Sequence, residues 1–128
     1  MGNRILFVCH ANECRSPVMA GTMIAVLEAA ARQDDWRVSS GGTDSRGGPQ
    51  CAVAVDVLAD VMDAQLLAEY RDRFVSTPIS ERTLERADLI ITATREERSA
   101  MAMRAPAVRA RTFTLREAVG LRGDGESA

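Results

Sequence analysis

Residues 7–17 read FVCHANECRSP: an apolar run delivered directly onto a cysteine, then five residues, then Arg15, Ser16 and Pro17. Working outward, residues 4–8 (RILFV) form a short continuous apolar stretch, as a strand buried on both faces of a parallel sheet would. From Pro17 to Gln33 apolar residues recur at helical spacing, through Val18, Met23, Val26, Leu27 and Ala30. Ser16 suits the N-cap and Pro17 the first helical position. The opening therefore reads strand, tight loop, helix.

The rest of the chain repeats that alternation. WRVSS at 36–40 is a second strand candidate, followed by the glycine-rich loop GGTDSRGGP. A long helix is expected from about Pro49 to about Tyr70, with a break near Asp63. Thr77 and Pro78 are expected to start a short helix through ISERTLERA, which leads into the apolar run DLIITA at 88–93. Thr94 and Glu97 have capping-box spacing and begin a helix through Arg104. RTFTL at 111–115 is the last strand candidate, and the glycine-rich tail at about 120–128 reads as mobile. Four strands alternating with helices predict an α/β fold, a single domain over residues 1–128 with a four-stranded parallel sheet flanked by helices. In such sheets ligands bind at the carboxyl ends of the strands, where Cys9 falls.

Composition bounds the function classes. The chain has 128 residues, 46% of them apolar and 27% charged, as expected of one globular domain. Sixteen cationic residues, all arginine, stand against 18 acids for a formal charge of −2, which leaves no overall basic field for a nucleic-acid polymer. No apolar run approaches the roughly 20 residues of a membrane span, and a cytoplasmic protein without membrane partners is expected. No CxxC or histidine pair invites zinc, and no metal or cofactor is expected. Three cysteines, Cys9, Cys14 and Cys51, make reactive or buried thiols the expectation rather than a disulfide framework. Cys51, on an apolar helix face, reads as inert packing. Cys14 reads either as filling or as a partner that bonds to Cys9 and shields it from overoxidation.

A Cys-x5-Arg loop between a strand and a helix N-terminus turns successive backbone N–H groups inward and adds the positive helix pole, which makes an anion cradle. The same field favours a thiolate at Cys9. Arg15 offers a planar two-donor fork to phosphoryl oxygens. Ser16 can donate to the sulfur, and Asn12 tolerates the positive φ that shapes such a loop. His10, Ala11, Asn12, Glu13 and Cys14, with Arg15, are the phosphate-binding candidates, and His10 is expected to serve through its backbone rather than as an acid or base. The pair Cys9 and Arg15 would bind a phosphate-like oxyanion and attack its central atom.

The residues VCHANECRSP resemble the motif of the low-molecular-weight protein tyrosine phosphatase family. The likeness extends through SSGGT at 39–43, ADLIITATREER at 87–98 and FTLREA at 113–118. It implies a metal-independent phosphatase that hydrolyses a phosphomonoester, on a protein or a small molecule such as a nucleotide, through a cysteinyl-phosphate, with inorganic phosphate as product. Carried onto this sequence it makes Cys9 the nucleophile, Arg15 the phosphate clamp, Ser16 the thiolate's partner and Asn12 the loop-shaping residue. Ala11 stands where the family usually has glycine. The loop after SSGGT carries Arg46, a candidate for the substrate rim, where the family places an aromatic. No Asp-Pro pair is present to supply the family's general acid; Asp124 lies at a comparable separation from Cys9 and reads either as that acid or as a solvated tail residue. Two other readings stay open: a non-catalytic oxyanion-binding module, and an arsenate reductase, which would need two cysteines late in the chain where none follows Cys51.

Overall fold

The structure, a computed structural model, describes residues 3–120. Strand β1 (Asn3–Cys9) leads into helix α1 (Arg15–Ala29), followed by β2 (Trp36–Gly42), α2 (Ala52–Ala59), α3 (Ala64–Arg73) and α4 (Glu81–Arg86). Then come β3 (Leu89–Thr92), α5 (Arg95–Arg104), a 3-10 turn (Pro106–Arg111) and β4 (Thr112–Thr114). Residues 115–120 are helical. All the strands pair in parallel, in the order β2-β1-β3-β4. β1 is central and β2 and β3 flank it, so the loop after β1 opens into the crevice at the strands' carboxyl ends.

The alternation along β1 sorts the core into two layers. Ile5 and Phe7 pack with Ile91 and Ala20 on the α1 side, while Leu6 and Val8 pack with Ile90, Leu84, Met101 and Val108 on the α4/α5 side. A third cluster, Ala25, Leu58 and Met62, joins α1 to α2. There Gly21 is needed: a Cβ on it would lie 2.7 Å from Leu58 Cδ2. The fully buried Leu58 thus seats α2 directly on the α1 backbone.

The sequence expectations hold for the sheet and shift at several helix ends. The break expected near Asp63 splits the stretch over 49–70 into two helices, as Asp63 caps α3 by accepting from the Leu66 N–H at 2.8 Å. Thr77 and Pro78 do not start a helix. Ser80 caps α4, and Pro78 makes an isolated bridge to Gly42. Nor is Ser16 the cap of α1: Cys14 is, and the Ser16 hydroxyl is taken by Cys9 and Asn12. The box at Thr94 and Glu97 forms, with the Glu97 carboxylate accepting from the Thr94 N–H at 2.9 Å. A second one, unread in the sequence, joins Thr114 and Glu117. The Thr114 N–H and then the Arg98 guanidinium hold the Glu117 carboxyl below its ordinary range.

The cysteines correct two expectations. Cys51 is not inert packing and Cys14 is not bonded to Cys9: Cys14 and Cys51 form a disulfide, with Cα atoms 5.4 Å apart, and Cys9 is the free, buried thiol. The cause is register. Leu58 fixes α2 against α1, which brings the N-caps of the two helices, Cys14 and Cys51, face to face. Across a sequence separation of 37 residues such a bond is worth about 2–4 kcal/mol, mainly by restricting the unfolded chain. Cys51→Ser is therefore expected to lower the unfolding free energy in urea by that amount, and iodoacetamide without reductant should label one cysteine in the denatured protein. Labelling of all three, with an unchanged urea midpoint, would remove the disulfide from the account.

Candidate active site

The loop from His10 to Cys14 is held from outside through its carbonyls. The Cys9 carbonyl accepts from the Thr43 N–H at 3.0 Å, that of His10 from the Asp44 N–H at 2.8 Å, and that of Glu13 from the Cys51 N–H at 2.7 Å. The Ala11 carbonyl accepts from the Ser76 hydroxyl at 2.7 Å. With these acceptors turned outward, the amides of Ala11, Glu13, Cys14 and Arg15 donate to no protein acceptor among the described residues. A ring of unfilled donors above a helix N-terminus is what an oxyanion needs.

The Cys9 sulfur lies within this ring, 2% exposed as a residue. Its Sγ sits 3.0 Å from Ser16 Oγ and accepts from the Asn12 N–H at 3.2 Å. Both groups can donate to a thiolate. Asn12 is fully buried at φ 58°, the left-handed region its residue type tolerates. Its Nδ2 donates to Ser16 Oγ at 2.7 Å and to Ser40 Oγ at 2.9 Å, and its Oδ1 accepts from the Thr77 N–H at 2.8 Å. One side chain therefore ties α1, β2 and the 74–80 segment to the loop. Gly42 completes the seat, since a Cβ there would lie 2.7 Å from the His10 carbonyl oxygen, closer than real contacts permit.

The expected site residues from Cys9 to Ser16 are thus brought together. Arg15 opens α1, exposed, and makes no ion pair among the described residues. It borders an apolar hollow of about 340 Å³ with Val18, Met19, Val53, Ala93 and Leu115. Arg46 reaches the rim indirectly: its guanidinium is 3.7 Å from the Asp44 carboxylate, which is 3.6 Å from His10 Nε2. Asp124 and the tail read as mobile lie outside the described residues. The described residues include no cluster of three or more potential metal ligands.

Ser40, Gly42, Ser76 and Thr77 were not legible as parts of the site. SSGGT carried a signal for Ser40 and Gly42, but Thr77 serves through its backbone amide, which no residue type announces. The aromatic residues lie elsewhere. Tyr70, for one, donates its hydroxyl to the Pro17 carbonyl at 3.0 Å beneath α1, where burial pushes its pKa up.

Comparison with known proteins agrees with this geometry. Residues 4–126 match the family model described as low molecular weight phosphotyrosine protein phosphatase. The chain is 31% identical over 121 residues to a protein-arginine-phosphatase of Bacillus subtilis, covering 94% of this chain and 75% of that protein. A solved structure of a low molecular weight protein tyrosine phosphatase from T. tengcongensis superposes with a TM-score of 0.78 at 29% identity, covering 93% of this chain and 77% of that one. The B. subtilis YwlE arginine phosphatase, as a cysteine-to-serine mutant with a phosphorylated active-site serine, gives a TM-score of 0.76 at 27% identity, covering 91% and 71%.

Asn12→Ala removes the three side-chain hydrogen bonds of Asn12 and keeps a Cβ at positive φ without the polar group that offsets its cost. The expected loss of stability is about 2–4 kcal/mol, read by urea unfolding. Asn12→Gly should recover only the backbone part, about 1 kcal/mol. Equal stability of Asn12→Gly and the parent would show that the side-chain bonds contribute no more than the backbone relief that glycine supplies.

Proposed function

Since the chain belongs to the low molecular weight phosphotyrosine protein phosphatase family, and so is a phosphoric monoester hydrolase acting on phosphorylated substrates, we propose that it works through a cysteinyl-phosphate formed on Cys9. The observation that carries the proposal is the buried Cys9 sulfur, held by Ser16 and the Asn12 amide inside a ring of unfilled N–H donors. The Cys9 thiolate attacks phosphorus, a sulfur–phosphorus bond forms, and the bond to the leaving group breaks as that group takes a proton from solvent water. Water then attacks phosphorus, the sulfur–phosphorus bond breaks, and inorganic phosphate leaves with the thiolate restored. Arg15 and the loop amides hold the charge that develops on the phosphoryl oxygens. The positive charge comes from the chain itself, so neither step calls for a metal.

For the substrate we favour a phosphorylated protein side chain, and among these phosphoarginine, whose phosphorus–nitrogen bond would break in the first step where a phosphomonoester breaks phosphorus–oxygen. The support is the relative named a protein-arginine-phosphatase, together with Glu13. A carboxylate in a loop built for anions works against a bare dianion and in favour of a substrate with a cationic group beside its phosphoryl. The apolar hollow at Arg15 suits the carbon part of such a residue. No nucleic-acid polymer is a partner on this reading. The described residues contain no helix long and apolar enough to cross a membrane, and we place the enzyme in the cytoplasm, where the Cys14–Cys51 bond is exposed to reducing thiols.

Cys9→Ser should lower kcat for an aryl phosphate by roughly 10³-fold or more while leaving phosphate binding measurable. Arg15→Lys keeps the charge but loses the two-donor fork, and should cost about 10²-fold. Near-normal kcat in either variant would overturn the mechanism. Glu13→Gln should reduce kcat/KM for a phosphoarginine peptide by about tenfold and leave an aryl phosphate unaffected or improved. The opposite pattern would overturn the substrate reading alone.

A further inference from the structure

At the other end of the sheet, Arg4 on β1 and Arg37 on β2 are register partners. In-register residues of neighbouring strands share a face, and like charges placed opposite one another there destabilise the sheet. Arg4 also shares its face with Leu6 and Val8, two and four residues on, which pack against Leu84 of α4. On α4, Arg82 and Arg86 stand four residues apart, the spacing at which like charges repel along a helix. These two like-charge pairs line one hollow of about 280 Å³, with Ser39 and Thr83 between them and no acidic residue among the lining groups.

None of the four guanidiniums forms an ion pair with a carboxylate among the described residues. The nearest acids are otherwise placed. Asp88 accepts from the Arg4 backbone N–H at 2.7 Å, and Glu81 and Glu85 are exposed on α4 without lining the hollow. The carboxyl end of α4, whose carbonyls would repel an anion, is covered by a fifth arginine. Arg111 donates to the Ala87 carbonyl at 2.8 Å and to the Glu85 carbonyl at 3.0 Å. In a chain of net charge −2, four arginines around one hollow with no acidic residue in its lining make a local excess of positive charge.

We propose that this hollow is a second anion site, distinct from the Cys9 loop, which binds a compact small molecule carrying two adjacent phosphate groups. Four guanidiniums around one hollow offer more two-donor forks than a single phosphate can use, which suits a diphosphate. The volume, about 280 Å³, lies just below the usual range for small-molecule sites, roughly 300–1,000 Å³, which fits only a compact ligand. Arg4 and Cys9 are five residues apart on one strand, so the sites are separated by roughly 16 Å along it. One substrate phosphate in the Cys9 loop cannot fill both.

The test is an amide-resolved NMR titration of the full chain with inorganic pyrophosphate at constant ionic strength, repeated with inorganic phosphate and with the exposed double variant Arg82→Ala/Arg86→Ala. Saturable shifts are expected at residues 37–39 and 82–87, with pyrophosphate binding there at least tenfold more tightly than phosphate. The double variant should weaken that binding at least tenfold while residues 10–16 respond as in the parent. Without anion, the double variant should melt close to the parent, because the repulsion it relieves offsets the contact of Arg86 with the negative end of α4 that it loses; pyrophosphate should raise the parent's Tm and not the variant's. Absence of shifts at 37–39 and 82–87, equal affinity for the two anions, or a variant that binds as the parent does would overturn the proposal. So would an anion-free Tm well below the parent's in the double variant, which would make these arginines structural.

Discussion

The Asn12 side chain is the interaction on which the site depends. A loop that presents its amides to a ligand leaves those amides without protein partners, so it cannot hold itself together by its own hydrogen bonds. Its shape has to be imposed from its carbonyls and from one interior side chain. Asn12 supplies the second: its amide group reaches Ser16, Ser40 and the Thr77 N–H from a position with no exposed surface. Its left-handed backbone turns the preceding carbonyls outward to Thr43, Asp44 and Ser76. In a low-dielectric interior these bonds are strong and costly to break, which makes the loop a rigid cradle rather than a flexible flap.

A second constraint acts at the far side of the loop. Cys14 is at once the last residue of the loop, the cap of α1 and one half of the bond to Cys51. Cys51 in turn caps α2 with its sulfur and donates its N–H to the Glu13 carbonyl. The position of α2 is thereby coupled to the loop by a covalent bond and a hydrogen bond. Because Cys14 is engaged with Cys51, it cannot serve Cys9 as an intramolecular disulfide partner while that bond is intact. The chemistry of Cys9 under oxidation then depends on the redox state of a bond that it does not itself form.

Much of this was legible in the sequence, for physical reasons that differ by element. The four strands read correctly because short apolar or β-branched runs alternate with helical spacing and turn residues, and the strand, loop and helix around Cys9 and Ser16 are where that alternation put them. The helix start at Thr94 was found because a capping box is a local pattern; the same pattern at Thr114 was there to be read. What failed was non-local. The Ser16 hydroxyl had a local use as a cap and a tertiary use beside Cys9, and the tertiary use won. Cys51 appeared inert because nothing in its neighbourhood says that α2 will dock with its N-cap against that of α1. Arg4 and Arg37 are separated by a helix, and only strand register makes them neighbours.

The central claim is that the thiol at the bottom of this cradle carries the phosphoryl group during turnover. Rapid denaturing quench at alkaline pH of the enzyme mixed with substrate, followed by peptide mass analysis under conditions that preserve S-phosphocysteine, tests it directly. A phosphoryl group on Cys9 is expected, appearing within the first turnover and decaying as free phosphate is released. Substrate consumption without any phosphorylated Cys9, or a phosphoryl group carried by another residue, would contradict it.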